Sequence, residues 1–281
     1  MPVIGIVAQG MEAAWKNVTR LSGYNSYIMT AYVKHFEAQG AQVVPILNGE
    51  NENTIKEKMK NLNGIVFPGG GGDYLKTGKI ILEEVKKYND KGIYYPLWGT
   101  CLGLENLAIF TSDLGEKVLE SFELFFTSIP LKLTGENSKI FEGLSLNELK
   151  TLESKNYLFN NHFFGISPAR FETDQGLKNF WSVTSTHKLP SDGRDFVASI
   201  EAKDYPIYAT MFHPEKAANI FYENDGINHS WENIQLMQHF SKQFMLMARQ
   251  NPHSWSYKFP FVEGHEIVGL NGAFGDIYVF K

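Results

Sequence analysis

The chain contains one cysteine in 281 residues, so no intramolecular disulfide, multi-thiolate zinc site or C-x-x-C redox pair can be built from it. Cys101 stands in Trp98-Gly99-Thr100-Cys101-Leu102-Gly103-Leu104, with a glycine two residues to either side. An apolar run precedes it and a helical stretch from Leu102 to about Phe110 follows. This is the cysteine counterpart of the G-x-S-x-G nucleophile elbow, whose sharp strand-to-helix turn tolerates no bulk at the flanking positions. Such a turn lifts the sulfur to the carboxyl ends of the strands, where open α/β sheets take their ligands. The helix N-terminus beneath it is expected to favour the thiolate and lower the thiol pKa. A buried, inert thiol is the competing reading; the strand, turn, helix and paired glycines together weigh towards a nucleophile.

A nucleophile of this kind needs a base. Tyr208-Ala209-Thr210-Met211-Phe212-His213-Pro214-Glu215 reads as a strand ending in an H-P-E turn. His213 would take the thiol proton, and Glu215, two residues on, would bond the far imidazole nitrogen and fix its tautomer. Phe67-Pro68-Gly69-Gly70-Gly71-Gly72-Asp73 follows another strand. As a phosphate loop it fails, because Gly78-Lys79 continues with Ile80 and the spacing is not that of a Walker motif. As half of an oxyanion hole it works, one loop N–H converging with that of Leu102 on a developing O⁻; a Gly-rich turn without a role is the alternative. His162, among polar and aromatic neighbours, is a second candidate active-site histidine. No His spacing suggests a metal, H-E-x-x-H is absent, and the chemistry calls for no cofactor.

The elements that must position these residues follow from hydrophobic periodicity. Strands are predicted at Val3 to Ala8, Gln42 to Leu47, Gly64 to Phe67 and Tyr94 to Trp98. Helices are predicted from about Tyr24 to Gln39, Asn53 to Lys60 and Lys79 to Asn89, with Gly40 and Gly92 ending two of them. That alternation is the βαβ pattern of a parallel sheet. Shorter aromatic and β-branched blocks at Phe122 to Leu133, Trp181 to Lys188, Phe196 to Ala202 and Ile207 to Phe212 predict further strands, some antiparallel. Ile234, Met237, Phe240, Phe244 and Met247 mark a long amphipathic helix over Trp231 to Gln250, and the residues after about 250 read as an extended tail. No repeat or domain boundary is evident, so 1–281 reads as one domain.

Composition limits the remaining classes. Lys and Arg number 26 against 31 Asp and Glu, a net charge of −5, which gives no basic excess for a nucleic-acid backbone. No apolar run approaches the roughly 18 to 20 residues of a membrane helix, so neither nucleic acid nor membrane is an expected partner. The opening Met1-Pro2-Val3-Ile4-Gly5 enters a strand pattern directly and reads as no targeting segment. Two N-x-S/T sequons, at Asn17 and Asn228, would suit a secreted glycoprotein.

Taken together, these motifs are similar to those of a known family. Asn63-Gly64-Ile65-Val66-Phe67-Pro68-Gly69-Gly70, Pro96-Leu97-Trp98-Gly99-Thr100-Cys101-Leu102-Gly103, His162, Tyr205-Pro206-Ile207-Tyr208 and Phe212-His213-Pro214-Glu215-Lys216 resemble the γ-glutamyl hydrolases, folate polyglutamate hydrolases of the class I glutamine amidotransferase-like superfamily. Tyr27-Ile28, Ala31-Tyr32-Val33-Lys34 and Asp225-Gly226-Ile227 extend the resemblance over nearly the whole chain. It implies a flavodoxin-like α/β fold, a central mostly parallel sheet with helices on both faces plus added antiparallel strands. It implies a Cys101–His213–Glu215 peptidase acting through a thioester on folyl- and antifolyl-poly-γ-glutamates. Gly70 and Leu102 would supply the oxyanion N–H groups, and Tyr32, His162, Gly71 and Glu105 would lie near the substrate. It further implies a lysosomal, vacuolar or extracellular setting, with homodimers among some members. Glu105 stands where the amidotransferases commonly carry Gln, which favours a hydrolase. The alternative is a related γ-glutamyl amide hydrolase or glutaminase.

Overall fold

A run with no polar residue, such as Val3-Ile4-Gly5-Ile6-Val7, must be covered on both sides if it is a strand. In the computed structural model, which describes all residues except Lys16, Asn17, Tyr257, Asn271 and Ala273, this run is strand β1 (Val3–Val7), buried throughout. The chain divides into two compact units: Met1–Leu97 with Asn219–Asp225 and Phe244–Lys281, and Trp98–Ala218 with Gly226–Gln243.

In the first unit β1 is followed by β2 (Gln9–Gly10), β3 (Ser26–Met29), α1 (Thr30–Glu37), β4 (Gln42–Ile46), α2 (Glu52–Met59), β5 (Gly64–Phe67) and α3 (Leu75–Asp90). β1 pairs in parallel with both β4 and β5, Val3 opposite Gln42 and Ile4 opposite Gly64, which is the expected βαβ arrangement. The helix expected from Tyr24 is shorter than its periodicity suggested: Ser26–Met29 is a fully buried strand and the helix begins only at Thr30.

The next strand, β6 (Leu97–Thr100), begins three residues later than expected. The side chain of Asn89 accepts from the N–H of Tyr95 and donates to its carbonyl, at 3.1 and 2.9 Å, so these groups are satisfied without a strand partner.

The second unit carries α4 (Leu102–Thr111), β7 (Glu120–Ile129), β8 (Leu131–Leu133), α5 (Leu146–Ser154), β9 (Leu158–Gly165), α6 (Pro168–Thr173), α7 (Gln175–Phe180), β10 (Trp181–Lys188), β11 (Asp195–Ala202), β12 (Ile207–Thr210) and α8 (Trp231–Ala248), which ends in the first unit. β12, β11, β10 and β8 pair antiparallel in that order. β7 and β9 form a separate antiparallel ribbon with irregular register on both sides of Leu124. The predicted strand from Phe122 to Leu133 is thus two strands broken at Pro130, a residue that cannot donate to a ladder. β9, which contains His162, was not among the expected strands. Ser145 and Glu148 start α5 with a reciprocal capping box, each side chain satisfying a backbone donor at the helix end. Phe240 of α8 packs its ring 5.2 Å from Phe212 and 6.3 Å from Trp98, so the amphipathic stripe read from the sequence is core.

The final residues of the chain, read as an extended tail, add β13 (Glu266–Gly269) and β14 (Asp276–Phe280) to the first unit. Their antiparallel order β13-β14-β3-β2 explains why β3 is a strand: its N–H and C=O groups are engaged by a segment some 250 residues away, a pairing local periodicity cannot report. No helix among the described residues is long and apolar enough to cross a membrane.

Candidate active site

Cys101 occupies the junction between β6 and α4. Its φ is +51° with ψ −107°, a conformation that an L residue adopts only when its surroundings enforce it, at a cost of roughly 1–3 kcal/mol. What enforces it is visible on both sides. The N–H of Cys101 donates to the carbonyl of Thr210 on β12 at 2.7 Å, and its own carbonyl accepts the N–H of Glu105 at 3.0 Å in the first turn of α4. A Cβ at Gly99 would lie 2.9 Å from Leu107 Cδ1 and 3.0 Å from the Gly103 carbonyl carbon. Only glycine lets the strand and helix approach this closely, as the sequence pattern predicts.

Thr210, the residue that holds Cys101, is also the last of β12, and the chain turns there towards His213. The His213 N–H donates to the Phe159 carbonyl on β9 at 2.9 Å, fixing the turn to the neighbouring ribbon. Its Nδ1 lies 2.8 Å from Glu215 Oε1, so in the neutral ring Nδ1–H donates to the carboxylate and Nε2 is left as the basic nitrogen. Both side chains are buried. Burial pushes the His213 imidazole below its ordinary value, against the pull of Glu215. Burial works against the Glu215 carboxylate, yet the His213 ring and Lys216 hold it below the usual range.

The thiol behaves differently from the sequence-based expectation. Burial pushes Cys101 well above its ordinary value, Glu105 and Glu215 push it further, and the Leu102 N–H and Lys216 pull it down. The helix N-terminus therefore acts in the expected direction but is outweighed by desolvation, which penalises the charged form. Both shifts favour a neutral thiol and a neutral imidazole at rest.

Three further ionisable groups are buried in the same unit. Glu105, 7% exposed, has its carboxyl pushed up to about 7 by burial, so it is protonated on the acid side of neutrality. His162 on β9 is held neutral, pushed down to about 3 by burial and by the nearby His213 and His187. Asn160 donates its amide to the Leu158 carbonyl at 2.9 Å, leaving its oxygen to accept from His162 Nε2 at 3.3 Å and Nδ1 of His162 as an acceptor. His187, which no sequence motif singles out, lies buried on β10. Its Nδ1 is 2.9 Å from the Pro130 carbonyl, and burial pushes it down to about 4. The Phe196 ring lies 5.2 Å from His162 and 5.3 Å from His187.

The remaining predicted residues lie in the first unit, around the loop after β5. Gln9 donates to the Gly69 carbonyl at 2.6 Å and accepts the Gly72 N–H at 3.2 Å. Glu12 accepts the Gly71 N–H at 3.1 Å and the Tyr27 hydroxyl at 2.7 Å. The buried Tyr32 accepts the Gly69 N–H on its hydroxyl at 2.8 Å, and Tyr74 donates to the Pro68 carbonyl at 2.7 Å. Among the described residues this leaves the N–H of Gly70, at φ +145°, as the one glycine donor of the loop without such a partner. A Cβ at Gly70 would strike the Gln9 amide, and one at Gly72 would overlap the Gly10 carbonyl oxygen. Of the sequons, the Asn228 side chain accepts the Ser230 N–H at 2.9 Å, and Asn17 lies outside the described residues. Among the described residues no group of three or more His, Cys, Asp or Glu could hold a metal ion.

Residues 24–223 match the family model for glutamine amidotransferase class-I. Gamma-glutamyl hydrolase B of Dictyostelium discoideum is 36% identical over 91% of this chain and 74% of its own length. The gamma-glutamyl hydrolase of Rattus norvegicus is 33% identical over 90% and 79%, and that of Homo sapiens 33% over 99% and 85%. A crystal structure from Thermoplasma acidophilum, named for GMP synthase, superposes with a TM-score of 0.51 over 89% of this chain and 98% of that one. At 15% identity this likeness concerns the fold alone. The chain has the class I glutamine amidotransferase fold, and it belongs to the γ-glutamyl hydrolases, enzymes of the hydrolase class.

Proposed function

We propose that this chain is a cysteine-type peptidase that hydrolyses the γ-glutamyl bonds of folyl- and antifolyl-poly-γ-glutamates through Cys101, His213 and Glu215. The observation that carries the reading is the join between the two motifs. The backbone of Cys101 is hydrogen-bonded to Thr210, three residues before a histidine whose Nδ1 is already committed to Glu215. His213 Nε2 takes the thiol proton as sulfur attacks the γ-amide carbonyl, and the Leu102 N–H, at the open start of α4, receives the oxyanion. The imidazolium then protonates the departing glutamate nitrogen. Water, deprotonated by the same ring, hydrolyses the thioester and restores the thiol. His162 is held neutral and adds no charge near His213. Glu105, neutral below about pH 7, adds no negative charge beside the sulfur under mildly acidic conditions, which suits a lysosomal, vacuolar or extracellular enzyme.

The test is incubation with pteroyl-penta-γ-glutamate across pH 5 to 7, with chromatography of products over time and Cys101→Ala alongside. Shortened folates with released glutamate or γ-glutamyl peptides are expected from the wild type only. Turnover of glutamine in place of the folate would move the assignment to a glutaminase of the same family.

A further inference from the structure

The Cys101–His213 pair, neutral at rest, lies beside the buried Glu215 carboxylate, whose charge needs a partner. With His213 pushed towards its neutral form, the cation that faces Glu215 is Lys216. Its side chain is only 3% exposed, in a turn where its N–H reaches back to the His213 carbonyl at 3.4 Å. Its ammonium lies 5.8 Å from the centre of the Phe159 ring, the ring of the residue whose carbonyl holds the His213 N–H and which itself packs 6.1 Å from the imidazole. A lysine is almost never this buried without a charge to pair with. Burial pushes the Lys216 ammonium below its ordinary value, and Glu215 and Cys101 are the two groups that favour its charged form against it.

We propose that Lys216 is the counter-cation of the reaction. Its ammonium, held over Phe159 beside Glu215, balances the thiolate that Cys101 becomes when its proton passes to His213. It acts through the charge of the sulfur without touching substrate, and is thus a positioning residue. The proposal rests on the reading of Cys101 as nucleophile. The ionisable groups acting on the sulfur are then Glu105 from α4 and Glu215 and Lys216 from the turn after β12, while His213, its proposed base, is itself faced by His162 of β9. Of these Lys216 is the one group whose ordinary state is cationic without the sulfur's proton. Below about pH 7 Glu105 is protonated, leaving Glu215 and Lys216 as a balanced pair against which the transient thiolate and imidazolium form. Without Lys216, that step would leave a thiolate and the Glu215 carboxylate sharing the one positive charge of the His213 imidazolium, and an opposite charge within a few ångströms commonly moves a pKa by about one to three units.

Alkylation of Cys101 without substrate separates this proposal from the choice of substrate. The rate with iodoacetamide is measured from pH 5 to 10 for the wild type, Lys216→Met, Lys216→Gln and Lys216→Arg, each checked for cooperative thermal unfolding. Lys216→Met and Lys216→Gln are expected to move the midpoint of the alkylation curve up by about one pH unit or more, slowing the reaction at pH 6.5 about tenfold. Lys216→Arg is expected to restore the wild-type midpoint. Hydrolysis should follow, kcat falling about tenfold at pH 6.5 with little change in KM. Curves that superimpose for wild type and Lys216→Met would overturn the proposal whatever the enzyme hydrolyses, whereas normal alkylation shifts without cleavage of any folate polyglutamate would instead overturn the substrate reading.

Discussion

The loop after β5 and the pocket around Cys101 are both glycine-flanked turns that follow a strand, yet they are held in shape by different physics. In the loop, hydrogen bonds from Gln9, Glu12, Tyr32 and Tyr74 pin the backbone. Three of its four glycine N–H groups have partners, and the phenol of Tyr27 is pushed well above its ordinary range by burial and by Glu12, so it stays neutral. In the pocket, Cys101, Glu105, His213, Glu215 and Lys216 are buried ionisable groups whose charges depend on one another. The loop is specified by satisfied backbone groups, whose loss costs stability. The pocket is specified by proton count, whose change costs rate. Both turns need their glycines, and the second needs the right set of ionisable partners as well.

Two substitutions set the extremes of that contrast. Cys101→Ala removes the proposed nucleophile and leaves the backbone bonds to Thr210 and Glu105 in place, so hydrolysis should fall by roughly 10⁴-fold or more while thermal unfolding changes little. Comparable turnover by the alanine variant would remove Cys101 from the mechanism. Gly72→Ala is expected to do the opposite. Its Cβ would overlap the Gly10 carbonyl oxygen and crowd Gln9 Cβ at 2.8 Å, and backbone cannot step aside as a side chain can. A loss of about 3 kcal/mol or more is expected, read by denaturant unfolding, with the Cys101 alkylation profile of the folded protein unmoved. A stable Gly72→Ala protein would show that the loop is not held by close backbone approach.

The same distinction explains what was readable in the sequence. The elbow and the H-P-E turn were legible because each is a local arrangement: Gly99 is demanded by contact with Leu107 and Gly103, and Glu215 reaches His213 from two residues away. The parallel strands were legible because a strand buried on both faces must read as an unbroken apolar run. Pairings set by distant segments were not: Ser26–Met29 is a strand because Asp276–Phe280 lies beside it, and its periodicity alone resembles the helix that follows. Lys216 was legible only as the last residue of the H-P-E-K block and His187 not at all, because what distinguishes them from a surface lysine and an ordinary strand histidine is burial. The thiol pKa departs from expectation for the same reason. The helix N-terminus is written in the sequence, while the desolvation that outweighs it depends on what covers the sulfur.

Glu105→Gln tests the contrast with the gentlest change, since Gln is nearly isosteric and is the residue that amidotransferases commonly carry at this place in the elbow motif. The Glu105 carboxyl is pushed up to about 7 from an ordinary 4.5 because burial disfavours its anion. The folded state therefore holds this proton more tightly than the unfolded chain. The resulting stability is present in full below about pH 4.5 and is lost progressively as pH rises through about 7. At 1.36 kcal/mol per unit the loss amounts to about 3 kcal/mol. Gln has no proton to lose, so the difference in unfolding free energy between variant and wild type should grow in the variant's favour from about pH 4.5 to 8 and then level off. The thiol should respond in step. Above about pH 7 the wild-type carboxylate pushes Cys101 up and the variant's amide does not, so the alkylation midpoint of Glu105→Gln should lie below that of the wild type. A pH-independent stability difference, together with an unmoved thiol, would mean that this carboxyl titrates in water and that the pocket, like the loop, is held without regard to charge.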